Sequence, residues 1–168
     1  LVIIRRRHLP AALVIDSAAI PLTLAYGIGR IGCWLAGDGT YGKPTSLPWG
    51  EAFPNGVVPT VVRVHPTPLY EFLAALVMAA ILWALQRHTR PPLEILGAYL
   101  ILSGTSRFFV EILRINTRVL LGLTQPQLWG LASVIVGAAI IVRGRLRSRN
   151  APGAPEIVAP PAQNLAGA

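Results

Sequence analysis

Four long runs of apolar residues follow one another along the chain, and polar stretches separate them. The runs cover approximately residues 11–35, 68–86, 93–113 and 125–142. A helix that crosses a membrane needs roughly 20 apolar residues to span a hydrocarbon core about 30 Å thick. Because only helices satisfy their own backbone polar groups in lipid at these lengths, the pattern predicts an all-α, polytopic membrane helix bundle of four transmembrane spans.

The stretch between the first two runs, residues 37–67, is polar and rich in glycine and proline, with PTSLPWGEAFPNG in its middle. This composition excludes a regular spanning helix and predicts an irregular loop built from turns. A connection of roughly 30 residues is longer than most, which favours a functional loop over a simple linker. Residues 1–147 are therefore predicted to form one membrane domain, and residues 148–168, rich in alanine and proline, a disordered tail.

Prolines mark where the second and third helices begin. Thr67 is predicted to cap the second helix, because its side chain can accept a hydrogen bond from a free backbone N–H, and Pro68 then fills the first helical position. Pro91 and Pro92 break the chain between the second and third runs.

The composition supports a membrane protein, since 53% of the 168 residues are hydrophobic, only 13% are charged, and the mean hydropathy is +0.56. The formal net charge of +8 could indicate a nucleic-acid partner. The basic residues fall in short clusters beside apolar runs and not on one continuous polar face, so we expect no nucleic-acid binding. Cys33 is the only cysteine, which excludes an intramolecular disulfide and a cysteine-based metal site.

The distribution of basic residues predicts the orientation of the bundle. One side of the membrane would receive nine arginines, at Arg5, Arg6, Arg7, Arg87, Arg90, Arg143, Arg145, Arg147 and Arg149. On the other side the loop supplies only Lys43 and Arg63, joined by Arg114 and Arg118 after the third span. Because basic residues accumulate on the cytoplasmic side, residues 37–67 are predicted to be extracytoplasmic and the C-terminus cytoplasmic.

Polar residues recur in the third run and just after it at spacings of four, four, three and four, at Ser103, Arg107, Glu111, Arg114 and Arg118. This spacing predicts one polar helix face. Arg107 would lie about 10 Å from Arg114 along that helix, below the headgroups, with Glu111 in reach at i+4. Two interpretations are open. The charges form a structural ion pair, or Arg30, Arg107 and Arg114 form a cationic pocket for a lipid phosphate, which guanidinium donors fit well.

Two further candidates stand in the segment VHPTPLYE, residues 64–71. One histidine and one glutamate, His65 and Glu71, lack the ligand count of a zinc site, so no metal is expected. A structural interpretation also exists for Glu71, as an acidic residue in the first turn of a helix, and for His65, as a hydrogen-bonded loop residue. Asp16, inside the first run, is expected to face the bundle or a water-filled cavity.

Three segments together resemble a known family: GRIGCWLAGDGTYG at 29–42, HPTPLYE at 65–71 and SRFFVEILR at 106–114. In this order they are similar to successive segments of the prolipoprotein diacylglyceryl transferase family, over roughly residues 1–145. The resemblance implies a transferase of the bacterial cytoplasmic (inner) membrane that moves a diacylglyceryl group from phosphatidylglycerol to the lipobox cysteine thiol of prolipoproteins. Its implied partners are phosphatidylglycerol, other membrane lipid and prolipoprotein signal peptides, and no cofactor is implied.

The resemblance also implies roles for individual residues. Catalytic roles fall on Arg30, Arg107 and Glu111. Substrate-binding roles fall on Arg30, Asp38, Gly42, His65, Glu71, Arg107 and Arg114. The arginines would bind the lipid phosphate and stabilise the negative charge that develops as it departs.

The chain also departs from the family pattern. Cys33 stands where better-known members carry asparagine, Thr40 or a neighbour is an insertion before Tyr41, and Ser103 takes the place of a functional tyrosine. The family's His-Gly-Gly element would lie upstream of Leu1, so an N-terminal portion is expected to be missing, or lost in a shortened relative. Two alternatives to the transferase stay open: an inactive relative that binds anionic lipid or lipoprotein signal segments, and an unrelated helical scaffold.

Overall fold

The structure, a computed structural model, describes residues 10–150, and this part of the chain contains four long helices. They are α1 (Ala11–Ala36), α2 (Thr67–Gln86), α3 (Glu94–Leu113) and α4 (Gln125–Asn150). All four are long and apolar enough to cross a membrane. The prediction of a four-helix, polytopic membrane bundle is confirmed.

Two helix ends differ from the prediction. α4 continues to Asn150, so residues 148–150 are helical and do not belong to a tail. The rest of the predicted tail, 151–168, and the arginines at positions 5–7 lie outside the described residues. α2 begins at Thr67 with Pro66 at its N-cap, and no side chain caps it. The Thr67 hydroxyl instead donates to the carbonyl of Thr40 at 2.6 Å, which ties the outer loop to the helix.

The loop predicted to be irregular contains a short β-hairpin. In it, β1 (Glu51–Phe53) pairs antiparallel with β2 (Thr60–Val64). A second hairpin between α3 and α4 pairs β3 (Arg118–Leu120) with β4 (Leu123–Thr124). Because neighbouring helices run in opposite directions, both hairpins lie at the same end of the bundle, and an isolated bridge between Gly42 and Arg114 joins the two connections there.

α3 and α4 come closest at two pairs of facing glycines. Gly104 faces Gly130, and Gly97 faces Gly137. A Cβ atom added to Gly130 would lie 2.7 Å from the carbonyl oxygen of Gly104, and one added to Gly97 would lie 2.9 Å from that of Gly137. Small residues permit such backbone approach between membrane helices. The two pairs therefore fix α3 tightly against α4.

The buried apolar core is small. Among the described residues, its main cluster consists of Ala19 in α1, Leu82 in α2, and Ile95 and Ala98 in α3. Many large apolar side chains of the helices are instead exposed on the outside of the bundle, among them Ile28, which is 68% exposed. Lipid tails are as apolar as a leucine side chain, so this outer surface suits a membrane environment.

The carboxylate of Asp16 binds the beginning of α3. Asp16 is fully buried, and its two oxygens accept hydrogen bonds from the backbone N–H groups of Leu93 and Leu96, both at 2.9 Å. The first N–H groups of a helix have no acceptor within the helix, and no residue at the start of α3 supplies one. Asp16 therefore faces the bundle and caps a neighbouring helix.

The outer loop docks on the end of α3 through Gly42 and Lys43. The Lys43 N–H donates to the carbonyl of Leu113 at 2.8 Å. A Cβ atom added to Gly42 would lie 2.6 Å from the same carbonyl oxygen. Since any side chain at this position would collide with the backbone of α3, glycine is required for the loop to dock.

Candidate active site

Glu71, in the second turn of α2, lies at the centre of a cluster of polar side chains inside the bundle. The residue is only 2% exposed. Its Oε1 accepts hydrogen bonds from the Tyr26 hydroxyl and from Nη1 of Arg107, both at 2.7 Å. Its Oε2 forms an ion pair with Nε of Arg30 at 3.2 Å. One buried carboxylate therefore holds side chains from α1 and α3 together.

Arg30 and Tyr26 come from the same face of α1, one turn apart. The guanidinium carbon of Arg30 lies 4.9 Å from the centre of the Tyr26 ring, in a cation–π contact. Nη1 of Arg30 also lies 3.8 Å from the sulfur of Cys33. The Arg30 side chain is 18% exposed, so most of it is withdrawn from solvent. Because a guanidinium carries five N–H donors, these contacts leave donors that a ligand can use.

Arg107 pairs with Glu71 and not, as its spacing predicted, with Glu111. Glu111 lies one turn further along α3 and accepts a hydrogen bond from the amide of Asn116. Arginine before glutamate at i and i+4 is the less favourable order on a helix, whereas the buried carboxylate on α2 has good geometry for Arg107. The two arginines, Arg30 and Arg107, therefore share one counter-ion that lies between them.

A cavity of about 440 Å³ lies beside this cluster, within the usual size range of ligand cavities. Residues from all four helices line it. Its polar lining includes Thr23, Tyr26, Arg30, Glu71, Ser103, Ser106, Arg107, Gln125 and Ser133. Its less polar lining includes Met78, Tyr99, Pro126 and Trp129. The cavity thus combines a charged wall with apolar surface at membrane depth.

The arrangement suits a phosphate group attached to an apolar chain. Two guanidinium groups against one carboxylate leave excess positive charge at the cavity wall. Planar guanidinium donors match the oxygens of a phosphate, and they act strongly where water is scarce. Since Glu71 fixes both Arg30 and Arg107 before any ligand arrives, little reorganisation is needed on binding.

Asp38 lies at the start of the outer loop and does not line this cavity. Its Oδ1 accepts hydrogen bonds from the backbone N–H and the hydroxyl of Thr40, at 3.0 and 2.6 Å, which closes a tight turn. Partial burial alone would raise the pKa of Asp38. The hydrogen bonds from Thr40 and Cys33 and the positive charge of Arg30 outweigh that effect, so the pKa lies below its ordinary value.

His65 and Gly42 also belong to the outer loop and do not line the cavity. Gly42 donates its N–H to the carbonyl of His65 at 2.8 Å. Nδ1 of His65 lies 3.3 Å from the hydroxyl of Tyr70, which accepts a hydrogen bond from the Trp49 indole at 2.7 Å. Both residues therefore shape the loop above the cluster, which agrees with the structural interpretation of His65.

Glu111 and Arg114 line a second cavity, also about 440 Å³, at the outer end of α3. The predicted polar face is thus divided, because Ser103 and Arg107 line the first cavity. α3 ends at Leu113, and Arg114 continues in an extended conformation, so the helical spacing does not apply beyond that point. Arg114 consequently does not join the two arginines of the first cavity, contrary to the predicted pocket.

Sequence reasoning missed Tyr26 and the residues that α4 contributes. Tyr26 precedes Arg30 by one helical turn, and that i to i+4 spacing is a signal that could have identified it. Trp129 and Ser133 carried no comparable signal, since residues 125–142 contain no charged side chain. Their position at the cavity depends on the glycine contacts between α3 and α4.

The family model of the prolipoprotein diacylglyceryl transferases matches residues 1–143. This range includes the whole buried cluster of Tyr26, Arg30, Glu71 and Arg107. The chain belongs to the prolipoprotein diacylglyceryl transferase family. The resemblance carried by the three sequence segments is therefore confirmed.

Individual members of the prolipoprotein diacylglyceryl transferase family are also similar to this chain. A relative from Frankia alni is 40% identical over 140 residues, which cover 81% of this chain and 37% of the relative. Relatives from Marinomonas sp. and Cupriavidus metallidurans are 34% and 33% identical, covering 78% and 90% of this chain and 50% and 56% of their own lengths. All three are named phosphatidylglycerol–prolipoprotein diacylglyceryl transferase. The chain thus spans between 37% and 56% of the length of these relatives.

Proposed function

We propose that this chain carries the lipid-phosphate site of an enzyme that transfers a diacylglyceryl group from phosphatidylglycerol to the lipobox cysteine thiol of a prolipoprotein. The observation that carries the proposal is the cluster in which Glu71 holds Arg30 and Arg107 at the wall of a cavity inside the helix bundle. The names of the relatives describe a reaction between these two substrates.

The reaction is a displacement at carbon. The thiol loses its proton to water or to the departing phosphate, and the sulfur bonds to the lipid glycerol carbon that carries the phosphate. The carbon–oxygen bond to the phosphate breaks, its electron pair stays on oxygen, and glycerol phosphate leaves. Negative charge therefore grows on the phosphate, and Arg30 and Arg107 stabilise it because their donors are already fixed in place.

Glu71 acts as a positioning residue in this proposal. Two guanidinium groups that converge on one phosphate repel each other, and the repulsion is strong at low dielectric constant. The carboxylate between Arg30 and Arg107 offsets that repulsion and directs both side chains, while the Tyr26 hydroxyl orients the carboxylate. The apolar lining of the cavity, with Met78 and Trp129, gives the diacylglyceryl part a matching surface.

For the outer loop we propose an indirect contribution to prolipoprotein binding. Gly42 and Lys43 hold the loop against the end of α3, His65 bonds to the backbone of both within the loop, and Asp38 closes the turn where the loop leaves α1. The loop therefore covers the end of the bundle at which a signal peptide would approach. We propose that it contacts the peptide there.

The proposed location is the bacterial cytoplasmic (inner) membrane, with the C-terminus in the cytoplasm. Arg87 and Arg90 follow α2, and Arg145, Arg147 and Arg149 lie near the end of α4, opposite to the two hairpins. This bias supports a cytoplasmic position for that end. A thiol reagent that does not cross membranes tests this orientation in cells whose inner membrane is intact. On the Cys33→Ser background, the reagent added from outside should label Asn55→Cys and should not label Ser148→Cys.

The activity is tested with the full chain in vesicles that contain phosphatidylglycerol and a peptide that carries a lipobox cysteine. Arg30→Gln and Arg107→Gln should each lower the yield of lipidated peptide at least a hundredfold, and Arg143→Gln, the same change near the end of α4, serves as the control. Full transfer by both cavity variants would contradict the proposal. Lipid binding without any transfer by the unaltered chain would favour the inactive relative.

A further inference from the structure

The hairpin between α3 and α4 exposes apolar side chains on both of its faces. Val119 and Leu120 in β3 are more than half exposed, and Leu121 in the turn is 88% exposed. Successive side chains of a strand point to opposite faces, so both faces of β3 are apolar and uncovered. A docked partner covers one face of such a hairpin, whereas a fluid apolar medium covers both. The pattern therefore indicates contact with lipid.

The turn of this hairpin carries a leucine in a conformation that leucine rarely adopts. The last pair between β3 and β4 joins Leu120 to Leu123. Leu121 and Gly122 therefore form a two-residue turn, and their φ angles are positive, at 52° and 75°. Such turns favour asparagine or aspartate before glycine, because these residues tolerate the left-handed region. In water this leucine costs free energy in its backbone and in its exposed side chain, and transfer of the side chain to lipid removes the second cost.

The hairpin lies at the level where the hydrocarbon core ends. At the opposite end of the bundle, Glu94 in α3 pairs with Arg145 in α4, which marks one boundary of the core on both helices. A core about 30 Å thick takes roughly 20 helical residues. α3 itself, from Glu94 to Leu113, has this length. Counted back from Arg143, the first charged residue of α4, the same length ends in β4, so the turn lies among the lipid headgroups.

The charge pattern around the hairpin also suits lipid. Arg118, at the start of β3, is the only charged residue between positions 115 and 142. An arginine beside apolar side chains extends its guanidinium to the headgroups while its neighbours enter the apolar layer. The segment contains no carboxylate that would oppose insertion. Trp129, in the second turn of α4, is exposed, and tryptophan is enriched at this depth of a membrane.

We propose that the turn and the end of β3, residues 119–121, insert into the adjacent leaflet of the bilayer and anchor the connection between α3 and α4 at its surface. The edges of a two-stranded hairpin carry unpaired backbone N–H and C=O groups, which must stay among the headgroups. Insertion is therefore limited to the turn and to a depth of about 5–10 Å. The proposal concerns the lipid itself and is independent of the proposed function.

The anchor has a consequence for the cavity beside Glu71. β4 leads without a linker into α4, whose first residues, Gln125 and Pro126, line that cavity. The backbone N–H of Thr124 donates to Oε1 of Gln127 at 3.0 Å, which joins the hairpin to the first turn of α4. A hairpin held at the membrane surface therefore keeps this wall of the cavity at a constant depth.

Site-directed spin labelling of the full chain in nanodiscs tests the anchor. On the Cys33→Ser background, a nitroxide is attached to Leu121→Cys or, as the matched control, to Asn55→Cys in the connection of the first hairpin. Oxygen concentrates in lipid and a nickel chelate stays in water, so the ratio of their collision rates with the label reports its depth. We expect the ratio of oxygen to nickel collisions to be about fivefold higher or more at position 121 than at position 55.

A second variant separates insertion from folding. Leu121→Asn introduces a residue that this type of turn favours, so the hairpin should fold at least as well as in the unaltered chain. With the label moved to Val119→Cys, adding Leu121→Asn should lower the collision ratio about threefold or more, because the apolar side chain at the turn is lost. Adding Leu121→Met, which keeps an apolar side chain, should leave the ratio unchanged.

Three results would overturn the proposal. The first is an equal collision ratio at positions 121 and 55, and the second is a ratio at position 119 that Leu121→Asn does not lower. The third is a label at position 121 that leaves water only when a peptide with a lipobox cysteine is added, which would assign the hairpin to the peptide. None of these measurements depends on transfer, so failure of the anchor is distinguishable from failure of the proposed function.

Discussion

The carboxylate of Glu71 and the guanidinium of Arg107 form a salt bridge of 2.7 Å that joins α2 to α3 inside the bundle. The same carboxylate oxygen accepts the hydrogen bond from Tyr26, and the other oxygen pairs with Arg30. The position of both arginines thus depends on one residue. Helix α2, which supplies no cation to the cavity, nevertheless determines where the cations stand.

Replacing Glu71 by glutamine should disable the site while keeping its volume. Removing one partner of a buried ion pair costs about 3–5 kcal/mol, because the remaining charges lose their compensation. We therefore expect Glu71→Gln to reduce transfer at least a hundredfold in the vesicle assay and to lower the melting temperature. Glu94→Gln, which removes the partly buried partner of the exposed Arg145 away from the cavity, is the control and should retain transfer. Unchanged transfer by Glu71→Gln would contradict the positioning role.

Replacement of a glycine by alanine should lower the thermal stability where the glycine lies against a neighbouring helix and raise it where the glycine faces open space. In Gly130→Ala the new Cβ would lie 2.7 Å from the carbonyl oxygen of Gly104, and overpacking of this kind costs about 1–3 kcal/mol. Gly29→Ala and Gly32→Ala place a Cβ where no atom lies within 4 Å, so alanine should stabilise α1 by about 0.5–1 kcal/mol. Thermal unfolding in detergent should show opposite shifts. A melting temperature unaffected by Gly130→Ala would argue against the close contact.

Removing the Asp16 carboxylate should destabilise the start of α3. Asp16→Ala leaves two backbone N–H groups without an acceptor, at about 1–3 kcal/mol each. Ser17→Ala is the matched control, because the neighbouring Ser17 is exposed and its hydroxyl binds only its own helix. Hydrogen exchange should show faster exchange at Leu93 and Leu96 in Asp16→Ala alone. Equal protection in both variants would mean that another group caps α3.

The turn at Asp38 should give a pH-dependent contribution to stability. Its folded pKa is lowered, so the contribution is fully present above the unfolded pKa of about 3.9 and is lost as pH falls through the lower folded value. The difference in melting temperature between the unaltered chain and Asp38→Asn should therefore be constant from pH 6 to pH 5 and shrink below pH 4. Thr40→Val, which removes one hydrogen bond to Asp38, should reduce the same difference. A difference that grows toward low pH would contradict the lowered pKa.

Hydropathy predicted the four helices because an apolar run long enough to cross the hydrocarbon core must hydrogen-bond its own backbone groups in lipid, and a helix does so. It also predicted that Arg30 and Arg107 lie within membrane-spanning helices, and both do. The partner of Arg107 was not predictable in the same way. Spacing along one helix favoured Glu111, and only the contact between α2 and α3 brings Glu71 within 2.7 Å.

Two other local rules failed where tertiary contacts compete with them. Thr67 has the right side chain for an N-cap, but its hydroxyl binds the carbonyl of Thr40 in the docked loop. The periodic pattern of polar residues continues to Arg114 and Arg118, beyond the end of the helix. α3 ends at Leu113, whose carbonyl accepts a hydrogen bond from the backbone of the outer loop. In both cases a long-range backbone contact decides the outcome, and no sequence pattern reports such a contact.

The bond between Asp16 and the start of α3 has a consequence for the order in which the spans assemble. The N–H groups of Leu93 and Leu96 find their acceptor on α1, so the first turn of α3 is complete only when α1 lies beside it. α1 precedes α3 in the chain and is already in the membrane when α3 is synthesised. Synthesis from the N-terminus thus delivers the acceptor before its donors, and a polypeptide that began at α2 would insert a third span with exposed backbone donors.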